Sequence, residues 1–542
     1  MTDNTAPLLS IENLSVSFGR EATEQSQVVH GVSFDIHAGE KLALVGESGS
    51  GKSVTAMSIL QLHDPSQTRY PTGTIKLNGR DLLHMDQATL RHVRGKEIAM
   101  IFQEPMTSLN PVYTVGEQLI EPLMLHRGMN KLQARQRAIE LMDRTGIVDP
   151  QKRIDAFPHM LSGGQRQRVM IAMALACHPK LLIADEPTTA LDVTIQVQIL
   201  ELLEDLQKEF SMAVLMITHD LNMVRRFAER VCVMQQGILV EQNTMQQIFT
   251  APTHEYTRHL LDSQPRQYIE YQSPQQRNDW PVVLQAKDIR CYFPVKSGVF
   301  RRKTGEIRAV DHIDISVRQG ETIGIVGESG SGKTTLGMCL LRLQDCDGEI
   351  IFAGQQLHVL KSRELRPLRR EFQIVFQDPF SSLSPRMTVE QIIREGLQIH
   401  FPEQTPAQHR QRIEQVLQEV GLDISMLTRY PHEFSGGQRQ RIAIARVVVL
   451  EPRLIMLDEP TSALDVSVQK QVLELLAELQ KNHGISYLFI THDLAVVRSM
   501  AHQIMVMQGG KVIEQGETTE MFEQPKEEYT RRLLQASLFQ AV

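Results

Sequence analysis

Two glycine-rich octets in the 542-residue chain each end in a lysine followed by a hydroxyl side chain. Seven of their eight positions are identical. Glycine-rich turns of this kind point backbone N–H groups at phosphate oxygens, and the helix that follows adds the positive end of its dipole. The lysine would reach the β- and γ-phosphates, and the hydroxyl would bind Mg²⁺. The octets predict two nucleoside triphosphate sites (P-loops), made of Gly46, Glu47, Ser48, Gly49, Ser50, Gly51, Lys52 and Ser53 in one copy and Gly327, Glu328, Ser329, Gly330, Ser331, Gly332, Lys333 and Thr334 in the other.

Two acidic pairs follow apolar segments that predict buried strands. LLIAD ends at Asp185 and LIMLD ends at Asp458, and each aspartate is followed by a glutamate. The carboxyl ends of strands are where α/β sheets bind ligands, so Asp185 and Asp458 are expected to hold Mg²⁺. Glu186 and Glu459 could polarise an attacking water as general bases. A lone Asp-Glu pair after a strand is more often a solvated turn, but the P-loop upstream favours the functional interpretation.

A second repeated motif, SGGQ, begins at Ser162 and at Ser435. In each copy a serine hydroxyl and two glycine N–H groups stand at the start of an apolar segment with helical character, which predicts an anion site at a helix N-terminus. The alternative is a simple helix cap with serine at the cap position. Capping alone does not require Gly-Gly-Gln after the serine, so the anion site is favoured.

The chain is a duplication with a unit of about 270 residues. LIADEPTTALDVTIQ (182–196) and IMLDEPTSALDVSVQ (455–469) share nine of fifteen residues, and Lys52 and Lys333 are 281 positions apart. Between the halves lies QPRQYIEYQSPQQRNDWP, which is rich in Gln and Pro and has no apolar period. This predicts domains at 1–263 and 282–542 joined by a flexible or loosely packed linker at 264–281, with an ordered surface strap as the alternative.

Apolar segments with strand and helix patterns alternate within each half. KLALVG and TIGIVG predict buried strands that run into the P-loops, LLIAD and VLMIT predict two more, and a largely helical stretch separates Gln103 from Leu161. Strands that alternate with helices favour a parallel sheet. The predicted fold class is therefore α/β, as two tandem P-loop domains that each combine a mainly parallel sheet with a helical subdomain.

Composition and charge exclude several classes of protein. Hydrophobic residues make up 42% and charged residues 22%, which are globular values, and the net charge of -7 does not favour nucleic-acid binding. The apolar run Val169–Cys177 is far shorter than a membrane span, and the N-terminal sequence shows no signal-peptide pattern. Five cysteines without a CxxC pair make a zinc or iron–sulfur site improbable and favour a reduced, cytosolic chain.

The P-loops, the glutamines in IFQEP and VFQDP, SGGQ, the Asp-Glu pairs, the ALD segments and a histidine 33 residues beyond each glutamate together resemble an ABC-type ATPase. The resemblance implies that ATP lies between the P-loop of one half and SGGQ of the other, and that neither half departs from the catalytic pattern. It implies roles at Gln103 and Gln377 (Mg²⁺ or attacking water), His219 and His492 (γ-phosphate), Asp192 and Asp465 (dimer interface), Ser162, Gly164, Ser435 and Gly437 (opposite ATP), and Phe18 and Phe293 (adenine stacking). A histidine at a strand end or an aromatic residue in a strand is often only structural, and Tyr292 adjoins Phe293.

The segments IFQEPMTSLNP and VFQDPFSSLSP and the paired tails that begin at Pro252 and Pro525 resemble bacterial peptide importers of the oligopeptide/dipeptide group. Fused halves with a short linker are most similar to the Yej-type importers of peptides and microcin C, with the fused glutathione-importer ATPases as the alternative. The resemblance implies two membrane permeases, indirectly a periplasmic peptide-binding protein, no nucleic acid, and a place at the cytoplasmic face of the inner membrane. The permease surface is expected at Glu104–His159 and Asp378–His432.

Two further expectations separate this chain from related classes. Many relatives carry a cysteine cluster for iron–sulfur binding near the C-terminus, and no cysteine lies between Cys232 and Cys291 or after Cys346, so no such cluster is expected. Soluble tandem proteins that act on ribosomes or DNA carry long charged linkers, coiled coils or zinc fingers. The short and barely charged segment 264–281 favours the transporter interpretation instead.

Overall fold

The computed structural model describes residues 6–19, 26–103, 108–188, 192–263, 266–269, 277, 279–297, 302–462 and 464–538. The chain divides into two compact units, Met1–Ser263 and Gln264–Leu538. Each unit contains a six-stranded sheet that is mostly parallel, a smaller antiparallel sheet and a set of helices. The α/β fold class predicted from the sequence is confirmed, including the helical subdomain of each half.

The first unit builds its larger sheet from six neighbouring strands in the order β11-β10-β3-β9-β8-β7, all parallel except β11. Strands β8 and β9 are buried along their whole length, as expected for parallel strands that are covered on both faces. The strands are β1 (Leu9–Phe18), β2 (Gln27–Ile36), β3 (Lys41–Val45), β4 (Thr68–Arg69), β5 (Thr74–Leu77), β6 (Arg80–Asp81), β7 (Ile98–Ile101), β8 (Leu181–Asp185), β9 (Ala213–Thr218), β10 (Arg230–Gln235) and β11 (Ile238–Thr244).

The helices of the first unit cover the sheet and form the helical subdomain. Helix α4 buries Ala134, Ala138, Leu141 and Met142, which lie on one face at helical spacing, and it packs on α3. The helices are α1 (Lys52–Ile59), α2 (Gln87–Val93), α3 (Val115–Arg127), α4 (Lys131–Arg144), α5 (Pro150–Arg153), α6 (Gly163–Leu175), α7 (Val193–Phe210), α8 (Leu221–Phe227), α9 (Met245–Thr250) and α10 (Glu255–Asp262), with a 3₁₀ turn at Pro158–Met160. No helix in the part of the chain described here has the length and apolarity to cross a bilayer.

The second unit repeats this plan. Its larger sheet has the order β17-β18-β19-β14-β20-β21, and its smaller sheet has the order β13-β12-β15-β16. The strands are β12 (Val282–Ser297), β13 (Arg302–Arg318), β14 (Thr322–Val326), β15 (Asp347–Phe352), β16 (Gln355–Gln356), β17 (Phe372–Val375), β18 (Leu454–Asp458), β19 (Ser486–Ile490), β20 (Gln503–Gln508) and β21 (Lys511–Glu517).

Its helices begin with the one that follows the second P-loop, as predicted. They are α11 (Lys333–Leu340), α12 (Ser362–Leu368), α13 (Pro379–Ser382), α14 (Val389–His400), α15 (Pro406–Glu419), α16 (Gly436–Val448), α17 (Val466–His483), α18 (Leu494–Met500), α19 (Thr518–Glu523) and α20 (Glu528–Leu538). Short 3₁₀ turns lie at Leu357–Val359, Ile424–Thr428 and Pro431–Glu433. The smaller antiparallel sheets are the main feature that the sequence analysis did not anticipate.

The segment 264–281 is ordered on the second unit wherever the structure describes it. The backbone N–H of Tyr268 donates to the carbonyl of Ser499 at 3.0 Å. Arg277 is only 3% exposed, and it pairs with Glu321 at 3.3 Å and also with Glu517. At these described residues the segment packs as the surface-strap alternative would, because a buried carboxylate is paired with a cation from the segment.

In the first unit, the equivalent carboxylate pairs with a cation of the same unit. Glu40, at the position of Glu321, pairs with Arg230 at 3.0 Å across the strand ends. The second unit has Gln503 at the position of Arg230, so it lacks this internal cation. The linker arginine supplies the missing charge, which makes 264–281 structurally part of the second unit.

We expect Arg277→Ala to lower the free energy of unfolding of the second unit by about 3–5 kcal/mol, because the buried Glu321 loses its partner. Urea unfolding followed by tryptophan fluorescence measures this directly, since Trp280 is the single tryptophan and lies beside the arginine in sequence. The control is Arg532→Ala, which removes an exposed ion pair with Glu528 and should cost less than about 1 kcal/mol. Equal losses for the two variants would contradict the assignment.

Candidate functional site

The two P-loops have backbone conformations that only glycine supports. Gly46 has φ 150° and Gly327 has φ 149°. A Cβ on Gly46 would lie 2.2 Å from the carbonyl oxygen of Met234, and one on Gly327 would lie 2.1 Å from that of Met507. The neighbouring parallel strand thus leaves no room for a side chain, and the loop packs directly against it.

The P-loop lysines are buried and held by their own loops. Lys52 Nζ donates to the carbonyl oxygens of Gly46 at 2.8 Å and Glu47 at 2.7 Å. Lys333 Nζ makes the same two contacts in its loop, at 2.8 and 2.9 Å. Both helices that follow have a left-handed glycine at the N-cap, without a side chain that caps the helix end. Each loop therefore combines an ammonium group with a helix N-terminus, as a phosphate site requires.

The hydroxyl and aspartate of each predicted metal site are in contact in both units, whereas Gln103 and Gln377 bond to the glutamates. Ser53 Oγ donates to Asp185 Oδ1 at 3.0 Å, and Thr334 Oγ1 donates to Asp458 Oδ1 at 3.0 Å. Burial raises the pKa of Asp185 to about 6, against the opposing effect of the Ser53 hydrogen bond. Burial likewise raises the pKa of Asp458. The hydroxyl and the carboxylate lie side by side and supply the oxygen ligands that Mg²⁺ prefers.

Both carboxylate oxygens of Glu186 have a side-chain hydrogen-bonding partner. Gln103 Nε2 donates to Oε2 at 2.7 Å, and His219 Nδ1 lies 2.9 Å from Oε1. The backbone of Glu186 has φ 45°, an uncommon conformation for a residue with a side chain, and its N–H donates to the carbonyl of Ile217 at 2.8 Å. The fixed backbone aims the carboxylate at the glutamine and the histidine, which the sequence separates from it by 83 and 33 positions.

Glu459 repeats this geometry in the second unit. Gln377 Nε2 donates to Oε2 at 2.7 Å, His492 Nδ1 lies 3.2 Å from Oε1, and φ is again 45°. Burial by itself would raise the pKa of Glu459, but the hydrogen bond and charge of His492 and the charge of Lys333 together hold the pKa below its usual value. The carboxylate is therefore ionised near neutral pH, as a general base must be.

The SGGQ serines cap the helices that they precede. Ser162 Oγ accepts from the N–H of Gln165 at 3.3 Å, and the Gln165 side chain accepts from the N–H of Ser162 at 3.1 Å. Ser435 and Gln438 form the same capping box. The cap considered as an alternative from the sequence is therefore present, but it leaves an anion site possible because a hydroxyl can accept one hydrogen bond and donate another.

The second glycine of each SGGQ has a packing role. A Cβ on Gly164 would lie 3.2 Å from Ile195, and one on Gly437 would lie 2.3 Å from Val468. These contacts press the SGGQ helices against α7 and α17, whose N-terminal cap residues are Asp192 and Asp465. Residues 190–191 of the first ALD segment lie outside the described residues, and so does residue 463 of the second.

The two phenylalanines that are predicted to stack on adenine differ in their surroundings. Phe18 is partly buried and contacts the ring of His63 edge-on at 5.2 Å. Phe293 is 38% exposed, and its neighbour Tyr292 donates its hydroxyl to Asp311. Phe293 therefore has an open ring available to a base, whereas Phe18 already has a partner. Their role in adenine stacking stays a prediction.

Two tyrosines join the P-loops to the paired tails. The hydroxyl of Tyr256 accepts from the N–H of Glu47 at 3.1 Å, and that of Tyr529 accepts from the N–H of Glu328 at 3.2 Å. The sequence analysis named only the paired tails, in which these tyrosines occupy matching positions. Their duplication was the signal that could have revealed them, but 209 and 201 residues separate the partners in sequence.

The family described as ABC transporter matches residues 29–189 and 310–462, which contain both P-loops and both Asp-Glu pairs. The chain belongs to the ABC transporter family. It is accordingly an ABC-type ATPase with two ATP-binding domains. A second family, described as oligopeptide/dipeptide transporter, C-terminal region, matches residues 240–294, which include Tyr256.

Full-length relatives agree with this assignment. The chain is 55% identical over 534 residues to the peptidoglycan transport ATP-binding protein YejF of Agrobacterium fabrum, covering 98% of this chain and 97% of that protein. It is 53% identical to the uncharacterized ABC transporter ATP-binding protein YejF of Escherichia coli, covering 98% of this chain and all of that protein. It is 48% identical over 557 residues to the glutathione import ATP-binding protein GsiA of Salmonella typhimurium, covering 98% of this chain and 89% of that protein.

We expect Glu186→Gln and Glu459→Gln each to slow ATP turnover at the altered site by about 10²–10⁴-fold, because an amide cannot take up a proton from water. ATP binding should persist, since neither change touches a P-loop. Single-turnover hydrolysis and equilibrium nucleotide binding separate the two effects. The control is Glu523→Gln, an exposed residue remote in sequence from both motifs. An unchanged rate in either variant would show that only one site is active.

Proposed function

We propose that this chain is the ATP-hydrolysing subunit of a bacterial ABC importer of peptides, of the oligopeptide or microcin C type. The observation that carries this proposal is the hydrogen bond between Tyr256 and the P-loop. It connects the tail region, which matches the oligopeptide/dipeptide family, to the ATP site itself. The peptide-importer feature is thus part of the ATPase machinery and not an appendage.

Identity and coverage favour the peptide alternative over the glutathione alternative. The relatives named YejF are 55% and 53% identical and are covered almost completely, whereas the glutathione importer subunit is 48% identical and is covered to 89%. These relatives are transport subunits by name, which disfavours a soluble tandem protein that acts on ribosomes or DNA. A peptide or a peptide-bearing fragment of peptidoglycan is therefore the favoured class of cargo.

Within each site we assign Lys52 and Lys333 to the β- and γ-phosphates and Glu186 and Glu459 to the attacking water. His219 and His492 orient these glutamates through the hydrogen bonds described above. The residues that would hold Mg²⁺ are Ser53, Asp185, Gln103, Thr334, Asp458 and Gln377. The metal would supply positive charge between the phosphate oxygens during transfer.

The two ATP sites are proposed to be composite. Each half carries one P-loop and one SGGQ, and a helix N-terminus stabilises an anion only at close range. Site one would combine Lys52 and Glu186 with Ser435 and Gly437 of the other half. Site two would combine Lys333 and Glu459 with Ser162 and Gly164. The adenine would stack on Phe18 or Phe293.

The helical segment of the first unit presents exposed apolar side chains that fit a membrane-protein partner. Large apolar residues on a surface mark interaction sites when they lie together in one segment. Within 108–159 they are Val112 (71% exposed), Tyr113 (52%), Met124 (43%), Leu125 (71%), Leu132 (81%) and Val148 (73%). The described residues of 378–432 contain Ile399 (48%) and Tyr430 (41%). We infer that these segments dock on two permease subunits at the cytoplasmic face of the inner membrane, and that a periplasmic binding protein delivers the peptide to those permeases.

A pairing experiment tests the composite sites. In a chain with Glu186→Gln, Ser435→Arg should leave the residual ATPase activity mostly intact, because it damages the site that is already inactive. Ser162→Arg in the same background should abolish the residual activity, because its bulk blocks the remaining site. Steady-state ATPase rates give the answer. The reverse pattern would mean that each SGGQ serves the P-loop of its own half.

Affinity purification in mild detergent tests the importer assignment. We expect the wild-type chain to retain two integral-membrane subunits, and the double variant Leu125→Asp, Leu132→Asp to lose them, because charge at an apolar contact opposes docking. The control is Ile238→Asp, a 49% exposed apolar residue outside the helical segments. Crosslinks from the permeases that fall mainly on the tails after Phe249 and Phe522 would argue against this docking surface, and co-purifying ribosomal proteins would refute the importer.

A further inference from the structure

Three of the five cysteines come together in the second unit. Cys291 lies in β12, Cys339 lies in the last turn of α11, and Cys346 lies in the turn before β15. Cys291 and Cys339 lie in the same buried core, and Cys346 packs against it. The Cys346 thiol also points to the carbonyl oxygen of Cys339 at 3.9 Å. All three are free thiols.

The members of this cluster differ in access and in acidity. Cys346 is partly exposed, whereas Cys339 is 0% and Cys291 is 4% exposed. Interaction with Cys339 and the nearby guanidinium of Arg342 lower the pKa of Cys346, against the opposing effects of burial and the charge of Asp347. Interaction with Cys346, together with burial, raises the pKa of Cys339. The cluster therefore contains one accessible thiol with a lowered pKa beside a buried thiol with a raised pKa.

The cluster is attached to the ATP site of the second unit. Cys339 and Lys333 lie on the same helix, six residues apart, which is roughly 9 Å along the helix axis. Gly337 lies between them, and a Cβ there would be 2.3 Å from Met456 in the strand that leads to Asp458. A helix packed this closely transmits a displacement of its last turn to its first, because protein interiors are nearly incompressible.

The first unit has no equivalent cluster. Val16 and Ser58 occupy the positions of Cys291 and Cys339. Its two cysteines, Cys177 and Cys232, are buried. Burial raises the pKa of both thiols, that of Cys232 to about 12. The chain therefore contains its own unreactive reference thiols.

We propose that Cys346 and Cys339 form a hydroperoxide-responsive thiol pair, in which oxidation joins the two sulfurs in a disulfide that restrains α11 and slows nucleotide turnover in the second unit. The Cys346 thiolate attacks one peroxide oxygen, the O–O bond breaks, and hydroxide leaves, giving a sulfenic acid. The sulfur of Cys339 then attacks the sulfenic sulfur and displaces the hydroxyl, which leaves as water with the Cys339 proton. Two thiols are oxidised, one peroxide is reduced, and a thiol reductant reverses the change.

The acidity of Cys346 supports a rate advantage of useful size. A lowered pKa leaves a larger fraction of Cys346 as thiolate near neutral pH than an ordinary cysteine has, and the thiolate is the form that attacks peroxide. The loss of intrinsic nucleophilicity that accompanies a lower pKa offsets only part of this gain. The advantage over the buried Cys177 and Cys232 is greater, because peroxide must also reach the sulfur.

The test uses the reduced full-length chain, titrated with hydrogen peroxide, alkylated after unfolding, and mapped as peptides without reduction. We expect a Cys339–Cys346 crosslink while Cys177 and Cys232 stay alkylatable. ATPase activity measured in parallel should fall by about twofold or more, because one of two sites is impaired, and should return with dithiothreitol. Cys346→Ser should form no crosslink and keep its activity in peroxide.

Three results would overturn the proposal. Sulfinic acid at Cys346 without a disulfide would show that Cys339 does not resolve the sulfenic acid. A crosslink from Cys346 to Cys291 would show that Cys291, and not Cys339, is the partner of Cys346. A crosslink that forms without change in the ATPase rate would show that α11 tolerates the bond. None of these results bears on the cargo or the permeases, so failure here is distinct from failure of the importer proposal.

Discussion

The parallel register of four neighbouring strands brings the residues of the candidate site together. In the order β3-β9-β8-β7, the P-loop, His219, Glu186 and Gln103 each follow the carboxyl end of successive strands. Parallel pairing places those ends at one edge of the sheet, with Val45 opposite Thr218 and Asp185 opposite Ile217. Residues that lie more than a hundred positions apart therefore meet within 3 Å, as in the bond between Ser53 and Asp185. If one of these strands slipped by one residue, the group that follows it would be displaced by about 3.3 Å from its partners.

The two halves have the same chemistry but are supported differently. Lysine, hydroxyl, aspartate, glutamate, glutamine and histidine repeat with nearly equal distances in both units. The surroundings do not repeat, because the second unit uses Arg277 from the linker where the first uses Arg230, and it alone carries the cysteine cluster. A duplicated enzyme can retain one mechanism while its halves diverge in stability and in regulation, since these depend on contacts outside the site.

The tails support the two P-loops from outside the larger sheets. Tyr256 and Tyr529 accept hydrogen bonds from P-loop N–H groups, so helices at the end of each unit buttress the start of each ATP site. A change in either tail can therefore reach its P-loop through one hydrogen bond. This contact gives the peptide-importer tail a physical role in an otherwise general ATPase.

The sequence by itself determined the fold class, the strands and helices around each motif, and which residues the two copies of each motif place in equivalent positions. It could do so because strand periodicity and turn chemistry are local, and because the duplication made each motif visible twice. It could not determine that Tyr256 contacts the P-loop, that Arg277 is buried against Glu321, or that three scattered cysteines meet. Those contacts join residues 209, 44 and 7 to 55 positions apart, and no local pattern encodes them. Only the packing of sheets and helices decides which distant side chains become neighbours.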